Sequence, residues 1–333
     1  MISAKHKIPA GVWLCLPLAA AALGLALFAM KSGSISLSWR ELASGLFVAY
    51  DARVDAVYDL RFPRILIALL AGASLACSGL FLQAALKNPL ADPGIIGISG
   101  GAAFAATLVA GLFPALFFMI PAFAFAGGLL TFLLIYALAW KGGLDPVRII
   151  LVGVAVSAVF AGLTTAIAGA TNASGVSLSV SGLTQRSWDD VRLLAIYTAV
   201  GLVLALLLSG ACNLMALDDG TVRGLGRSAD LLRFLISGAA VLLASSATAV
   251  VGVIGFLALL APHAARRLIG SDHRVLTPFC ILLGGFLLLL ADTFGRLVLA
   301  PLEIPAATIL NIVGGPFFIF VLRKGGLRFG KQG

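Results

Sequence analysis

The chain has 333 residues, 61% of them hydrophobic and only 11% charged, with a mean hydropathy of +1.09. That balance leaves little room for a soluble domain. The net charge of +9 is carried by Lys and Arg that are dispersed and not interleaved with aromatics, which argues against a nucleic-acid footprint.

A helix crosses a bilayer with about 20 mostly apolar residues at 1.5 Å rise each. In lipid only helices and closed barrels satisfy their own backbone hydrogen bonds, and long apolar runs without period-2 alternation select helices. Ten such stretches are predicted: residues 10–30, 62–86, 95–112, 113–140, 147–170, 191–212, 232–250, 251–269, 275–299 and 304–322. The divisions between the third and fourth, and between the seventh and eighth, are weakly marked. The first follows Lys5 and Lys7 but is too long for a secretion-signal core, so a retained helix is expected. The longest loops are Lys31–Arg61 and the stretches 171–190 and 213–231, so residues 1–333 read as one membrane domain. With the N-terminus inside, 15 of the 23 Lys and Arg fall on the inner side and 8 on the outer. This bias places both termini in the cytoplasm.

A catalytic reading finds no support in the motifs. The histidines, His6, His263 and His273, are scattered, and neither GxSxG nor HExxH occurs. Cys15, Cys77, Cys212 and Cys280 lie in apolar stretches without a CxxC pair, so buried thiols are expected rather than disulfides or a metal site. Gly325 to Gly330-Lys331 mimics a phosphate-loop spacing, but Gln332 stands where Ser or Thr belongs and no helix follows. The spacing is read as coincidence, and no ATP, magnesium or other cofactor is expected on this chain.

Four features remain. First, many of the 38 glycines fall inside the apolar stretches, which suits close helix packing. Second, Asn88-Pro89-Leu90-Ala91-Asp92-Pro93-Gly94 forces a tight non-helical turn. Third, Asp292 and Arg296 share a helix face at i, i+4, a spacing that fits a structural pair and a functional pair equally. Gln83, and His263 after Pro262, are further polar points that more often make helix–helix hydrogen bonds than ligand contacts. Fourth, the inner segment 213–231 mixes apolar and charged residues, as in Leu217, Asp218, Asp219, Gly220, Arg223, Leu225 and Gly226. It reads as a short amphipathic structure that docks onto a partner.

Together these residues resemble the FecCD-type permease subunits of bacterial ATP-driven importers for ferric siderophores, haem or vitamin B12. The resemblance runs from about residue 35 to 324. It is carried by Arg61-Phe62-Pro63-Arg64, Gly72-Ala73-Ser74-Leu75-Ala76, Ser78-Gly79, Gln83 and Asn88 to Pro93. It continues through Gly255-Phe256, Pro262-His263, Arg266 and Asp272-His273-Arg274, then Ala291-Asp292, Arg296, Glu303-Ile304-Pro305 and Gly314 to Phe317. The resemblance implies an all-α bundle of about ten membrane helices, the type II ABC importer permease fold. It also implies a second permease subunit, identical or similar, two separate ATPase subunits that bind ATP and magnesium, and a soluble substrate-binding protein. In its terms Arg61, Arg64 and Arg296 meet acidic residues of the binding protein. Leu217–Leu231 docks the ATPase, and the inner gate lies around Pro146 and Val147. The docking segment departs from the family in its glycines, Gly220, Gly224 and Gly226, so shorter helices are expected. Ser179-Val180-Ser181-Gly182 also lacks a tryptophan usual there, although Trp188 follows. Residues 140–148 and 259–263 look nearer to siderophore members, which puts a ferric siderophore ahead of haem and vitamin B12.

The rival class is a stand-alone secondary transporter, which is expected to hold carboxylates or broken charged helices at the midplane. Here most acidic residues fall in loops or at the ends of the apolar stretches. A membrane-embedded enzyme lacks a nucleophile–base constellation.

Overall fold

A computed structural model describes residues 10–32, 38, 40, 41, 44, 51–171 and 182–323. Lys5, Lys7, residues 179–181 and the Gly325–Lys331 spacing lie outside the described residues. Each of the ten predicted stretches holds one helix: α1 (Ala10–Lys31), α2 (Ala52–Ala85), α3 (Ile98–Leu112), α4 (Ile120–Ala139), α5 (Pro146–Thr171) and α6 (Trp188–Leu214), then, after α7 (Asp219–Gly224) in the loop 213–231, α8 (Ala229–Val251), α9 (Leu257–Ile269), α10 (His273–Val298) and α11 (Ala306–Arg323). A 3-10 turn, Pro114–Met119, leads into α4. No strand occurs among the described residues.

Two boundaries differ from the sequence expectation. The second helix starts at Ala52 rather than Phe62. Asp51 caps it by accepting from Arg53 N (2.9 Å), and Val54 and Val57 are already buried. Arg53, Asp55, Asp59 and Arg61 lower the hydropathy of this first part, so an apolar criterion misses it. At 34 residues α2 is about 50 Å long, well beyond the hydrocarbon core. The eighth stretch, expected from Val251, is helical only from Leu257. Gly252 ends α8 at φ 73°, a conformation that glycine adopts without the steric penalty a Cβ brings, and Phe256 enters α9 in the left-handed region. α9 is therefore 13 residues long, too short to span alone. Seven helical segments among the described residues are long and apolar enough to cross a membrane.

The core forms around α2, against which α10, α8, α6 and α9 pack. Small residues bring these helices close. Gly72 meets the backbone of Gly284 and Gly285 on α10, and Gly79 meets Ala258 on α9. Ser74 and Thr198 hydroxyls pair at 3.0 Å inside the bundle. Cys77, Cys212 and Cys280 are buried free thiols, while Cys15 is half-buried. By contrast α5 buries only Ile149 and Gly153, and Leu151, Val154, Val159 and Leu163 point outward. That apolar face suits lipid or another membrane helix.

Candidate functional site

At the end of the bundle predicted to face outward, the first turns of α2 meet the last turns of α10 around a cleft of about 710 Å³. Arg61, Arg64, Arg296 and Glu303 line it, together with Thr184 and Gln185. The Arg64 guanidinium forks onto Asp292: Nη2 donates to Oδ1 (2.8 Å) and Nε to Oδ2 (3.0 Å). Its Nη1 donates to Glu303 Oε2 (2.8 Å). Arg296 Nε lies 3.4 Å from Asp292 Oδ2, so one carboxylate serves two guanidiniums. Arg61 Nη1 donates to Met30 O (2.8 Å), tying α2 to α1. The Asp292 side chain is 2% exposed and those of Arg64 and Arg296 about a tenth exposed. Planar guanidiniums hold such pairs better than ammonium groups, since the fork matches a carboxylate. Among the described residues of the cleft, three arginines face two carboxylates, a surplus of positive charge suited to an acidic group.

The α2–α9 contact is held by Gln83. Its Nε2 donates to Ala258 O (3.2 Å), and its Oε1 accepts from Arg266 Nη1. Gln83 therefore makes the helix–helix hydrogen bond expected of it. Pro262 lies within α9, and the His263 ring meets Phe317 edge-on, with centroids 6.1 Å apart. His263, Asn88, Pro89, Lys87, Arg266, Arg267 and His273 line a second cavity of about 680 Å³ at the opposite end. Beside it the Asn88–Gly94 turn is closed by side chains. Asn88 Oδ1 accepts from Leu90 N (2.9 Å), and Asp92 Oδ1 accepts from Gly94 N (2.7 Å). Burial pushes the Asp92 carboxyl up to about 6, against the opposing pull of the Gly94 and Ile95 N–H groups.

The same end carries the segment 213–231. Asp218 caps α7, its carboxylate accepting from Thr221 N and Oγ1. Those bonds, first from the hydroxyl and then from the backbone, hold its carboxyl below the ordinary range. Val222 anchors α7 in the bundle, while Leu217, Gly220, Arg223, Leu225 and Gly226 are exposed. The six-residue helix thus exposes Arg223, is flanked by the exposed Leu217 and Leu225, and is pinned on one side. Its brevity agrees with the shorter helix expected from the glycines.

Asp219 is held by Lys87 Nζ (2.7 Å) and Arg233 Nη2 (3.0 Å). Burial raises its pKa, but the bonds and charges of Lys87 and Arg233 outweigh burial and the carboxyl lies below its usual value. Lys87, Asp230 and Arg233 were not singled out from sequence. Lys87 and Arg233 were counted only as topological charges, yet the Arg233 side chain is completely buried. The signal that was available is a charge in the apolar run Leu231-Leu232-Arg233-Phe234. Pro146 opens α5, and Val147 beside it is exposed. The arginine cleft and the segment 213–231 thus lie at opposite ends, joined by α2.

Comparison with known proteins agrees with this geometry. Residues 20–324 match the model of the FecCD transport family. The chain is 42% identical over 322 residues to the "Probable heme-iron transport system permease protein IsdF" of Staphylococcus aureus strain MSSA476, covering 97% of each chain. The IsdF of strain Newman matches equally. A solved structure described as "An inward-facing conformation of a putative metal-chelate type ABC transporter" superposes with a TM-score of 0.84 at 28% identity, covering 94% of this chain and 99% of that one. PsaBC from Streptococcus pneumoniae, at a TM-score of 0.55 and 16% identity over 85% of this chain and 95% of that one, shares the fold. The chain belongs to the FecCD transport family, as a multi-pass membrane permease.

Proposed function

We propose that this FecCD-family permease works as the membrane subunit of an ATP-driven importer that carries an iron chelate inward. In this reading two permease subunits form the path, two ATPase subunits bind at α7, and a soluble binding protein docks over the Arg61, Arg64 and Arg296 cleft. Both termini are cytoplasmic. The observation that carries the reading is α7 with its flanks: exposed Arg223 between exposed Leu217 and Leu225, immobilised by Asp219 on the bundle. Such a surface suits a partner that pushes. The cleft at the other end carries surplus positive charge, which suits the acidic docking groups of a delivery protein.

The resemblance to IsdF favours haem iron as the cargo. A ferric siderophore is the second reading, motivated by the segments 140–148 and 259–263. Substrate choice rests mainly on the binding protein. The test is competition between labelled haem and a labelled ferric siderophore for uptake by the complete reconstituted complex. ATP-dependent uptake of one and not the other assigns the cargo, and transport of neither removes the iron-chelate reading.

A further inference from the structure

The buried Arg233 connects three elements that the transport reading needs to move together. Its Nη2 donates to Asp219 of α7 (3.0 Å). Its Nη1 donates to Leu144 O (2.8 Å) and lies 3.4 Å from Asp230 Oδ1. Its Nε donates to Ala85 O (3.0 Å), at the C-terminal end of α2, where helix carbonyls lack intrahelical partners. Asp230 Oδ1 also accepts from Leu144 N (3.1 Å). Both main-chain groups of Leu144 are therefore gripped by one ion pair on the first turns of α8. Leu144 is buried and precedes Pro146, the first residue of α5, by two positions.

On the α4 side, Leu144 is reached through Gly142 (φ 69°) and Gly143 (φ 150°). Glycines at positive φ make that connection permissive. The start of α5 is thus joined to α8 and α7 through Leu144, and to α4 by Arg148 Nη1, which donates to Ala139 O (3.2 Å). A residue with a planar five-donor fork can hold four partners at once, which lysine cannot.

We propose that Arg233, with Asp230, is a positioning link that converts displacement of α7 into displacement of the Leu144–Pro146 segment and so of the inner end of α5. The proposal rests on the reading that α7 docks an ATPase. Neither Arg233 nor Asp230 belongs to the exposed surface of α7, and Lys87 holds Asp219 independently (2.7 Å), so cutting the link to Leu144 leaves docking in place. What changes is the number of substrate molecules moved per ATP hydrolysed.

The test uses the complete complex in proteoliposomes, with hydrolysis and uptake measured on the same preparation. Asp230→Ala removes the grip on Leu144 N while α7 keeps its bond to Arg233. Arg233→Lys keeps the charge beside Asp219 but loses the reach to Leu144. In both variants the complex assembles and hydrolyses ATP, and the ratio of uptake to hydrolysis falls about tenfold, within the range of coupling between distant sites. A ratio unchanged in both variants overturns the link. So does a parallel fall in uptake and hydrolysis tracking the amount of assembled complex, which marks a structural role alone. If the parent complex shows no ATP-dependent uptake, the importer reading itself fails, and the link falls with it.

Discussion

Replacing Gly72 with alanine tests the packing on which the bundle depends. A Cβ at Gly72 would sit 2.3 Å from Gly284 O, 2.8 Å from Gly284 C and 2.9 Å from Gly285 Cα. Ordinary carbon contacts lie at about 3.5–4.0 Å, so the overlap is about 1 Å or more. All three atoms are backbone and have no rotamer by which to withdraw. α2 and α10 must therefore part, and a gap of that size forfeits about a quarter to a half of the dispersion energy along the crossing. Overpacking costs about 1–3 kcal/mol, and rigid neighbours put this site at the upper end. Better helix propensity returns at most about 1 kcal/mol, leaving a net loss of about 2 kcal/mol. Scaled by chain length from smaller soluble domains, that is a fall in Tm of about 3 °C. The control is Gly24→Ala on α1, where a Cβ meets nothing within 4 Å. Thermal unfolding in one detergent should separate the two variants clearly. If Gly72→Ala unfolds at the same temperature as Gly24→Ala, the close α2–α10 crossing is refuted.

Arg64→Ala strips Asp292 of its forked partner and leaves a carboxylate that is 2% exposed with Arg296 alone, a loss of about 3 kcal/mol read in the same unfolding assay. Among Arg61→Glu, Arg64→Glu and Arg296→Glu, affinity for the binding protein should fall, with only a weak salt dependence because these side chains are about a tenth exposed and little screened. Unchanged affinity in all three folded variants would place docking elsewhere. Asp219, held low, contributes stability above its ordinary pKa and loses it as pH falls through its folded value, so Asp219→Asn should narrow the stability gap to the parent as pH drops below about 4. Asp92, raised to about 6, behaves oppositely. The cost of its charge grows as pH rises through 6, so Asp92→Asn should gain on the parent at pH 7.5, by about 1–3 kcal/mol, and not at pH 4. Single cysteines at Ser3 and Gln332, in a chain lacking the native four, should resist an impermeant thiol reagent applied from outside, and labelling of either would reverse the orientation.

Hydropathy located ten of the described helices because a membrane environment demands apolar stretches, and these are readable even where the helix within them is short. It misplaced the start of α2, since the residues between Asp51 and Arg61 alternate charge with apolar anchors. It also ran α8 into α9, because Gly252 and Phe256 break the helix through their dihedrals without lowering hydropathy. The site divides along the same line. The Asp292–Arg296 pair follows from i, i+4 spacing, whereas the stronger partner, Arg64, is 228 residues away and no local pattern points to it. Arg233 was hidden for another reason. A lone arginine at the start of an apolar helix looks like an inside charge, and only its four convergent acceptors show that it is buried.

The central claim is that ATP hydrolysis by a partner, and not an ion gradient, drives this permease. Uptake of an iron chelate into proteoliposomes decides it, with the permease, its ATPase and its binding protein added singly and together. The account predicts uptake only when all three and ATP are present, and none from the permease alone under an imposed proton or sodium gradient. Gradient-driven uptake by the permease alone would contradict it.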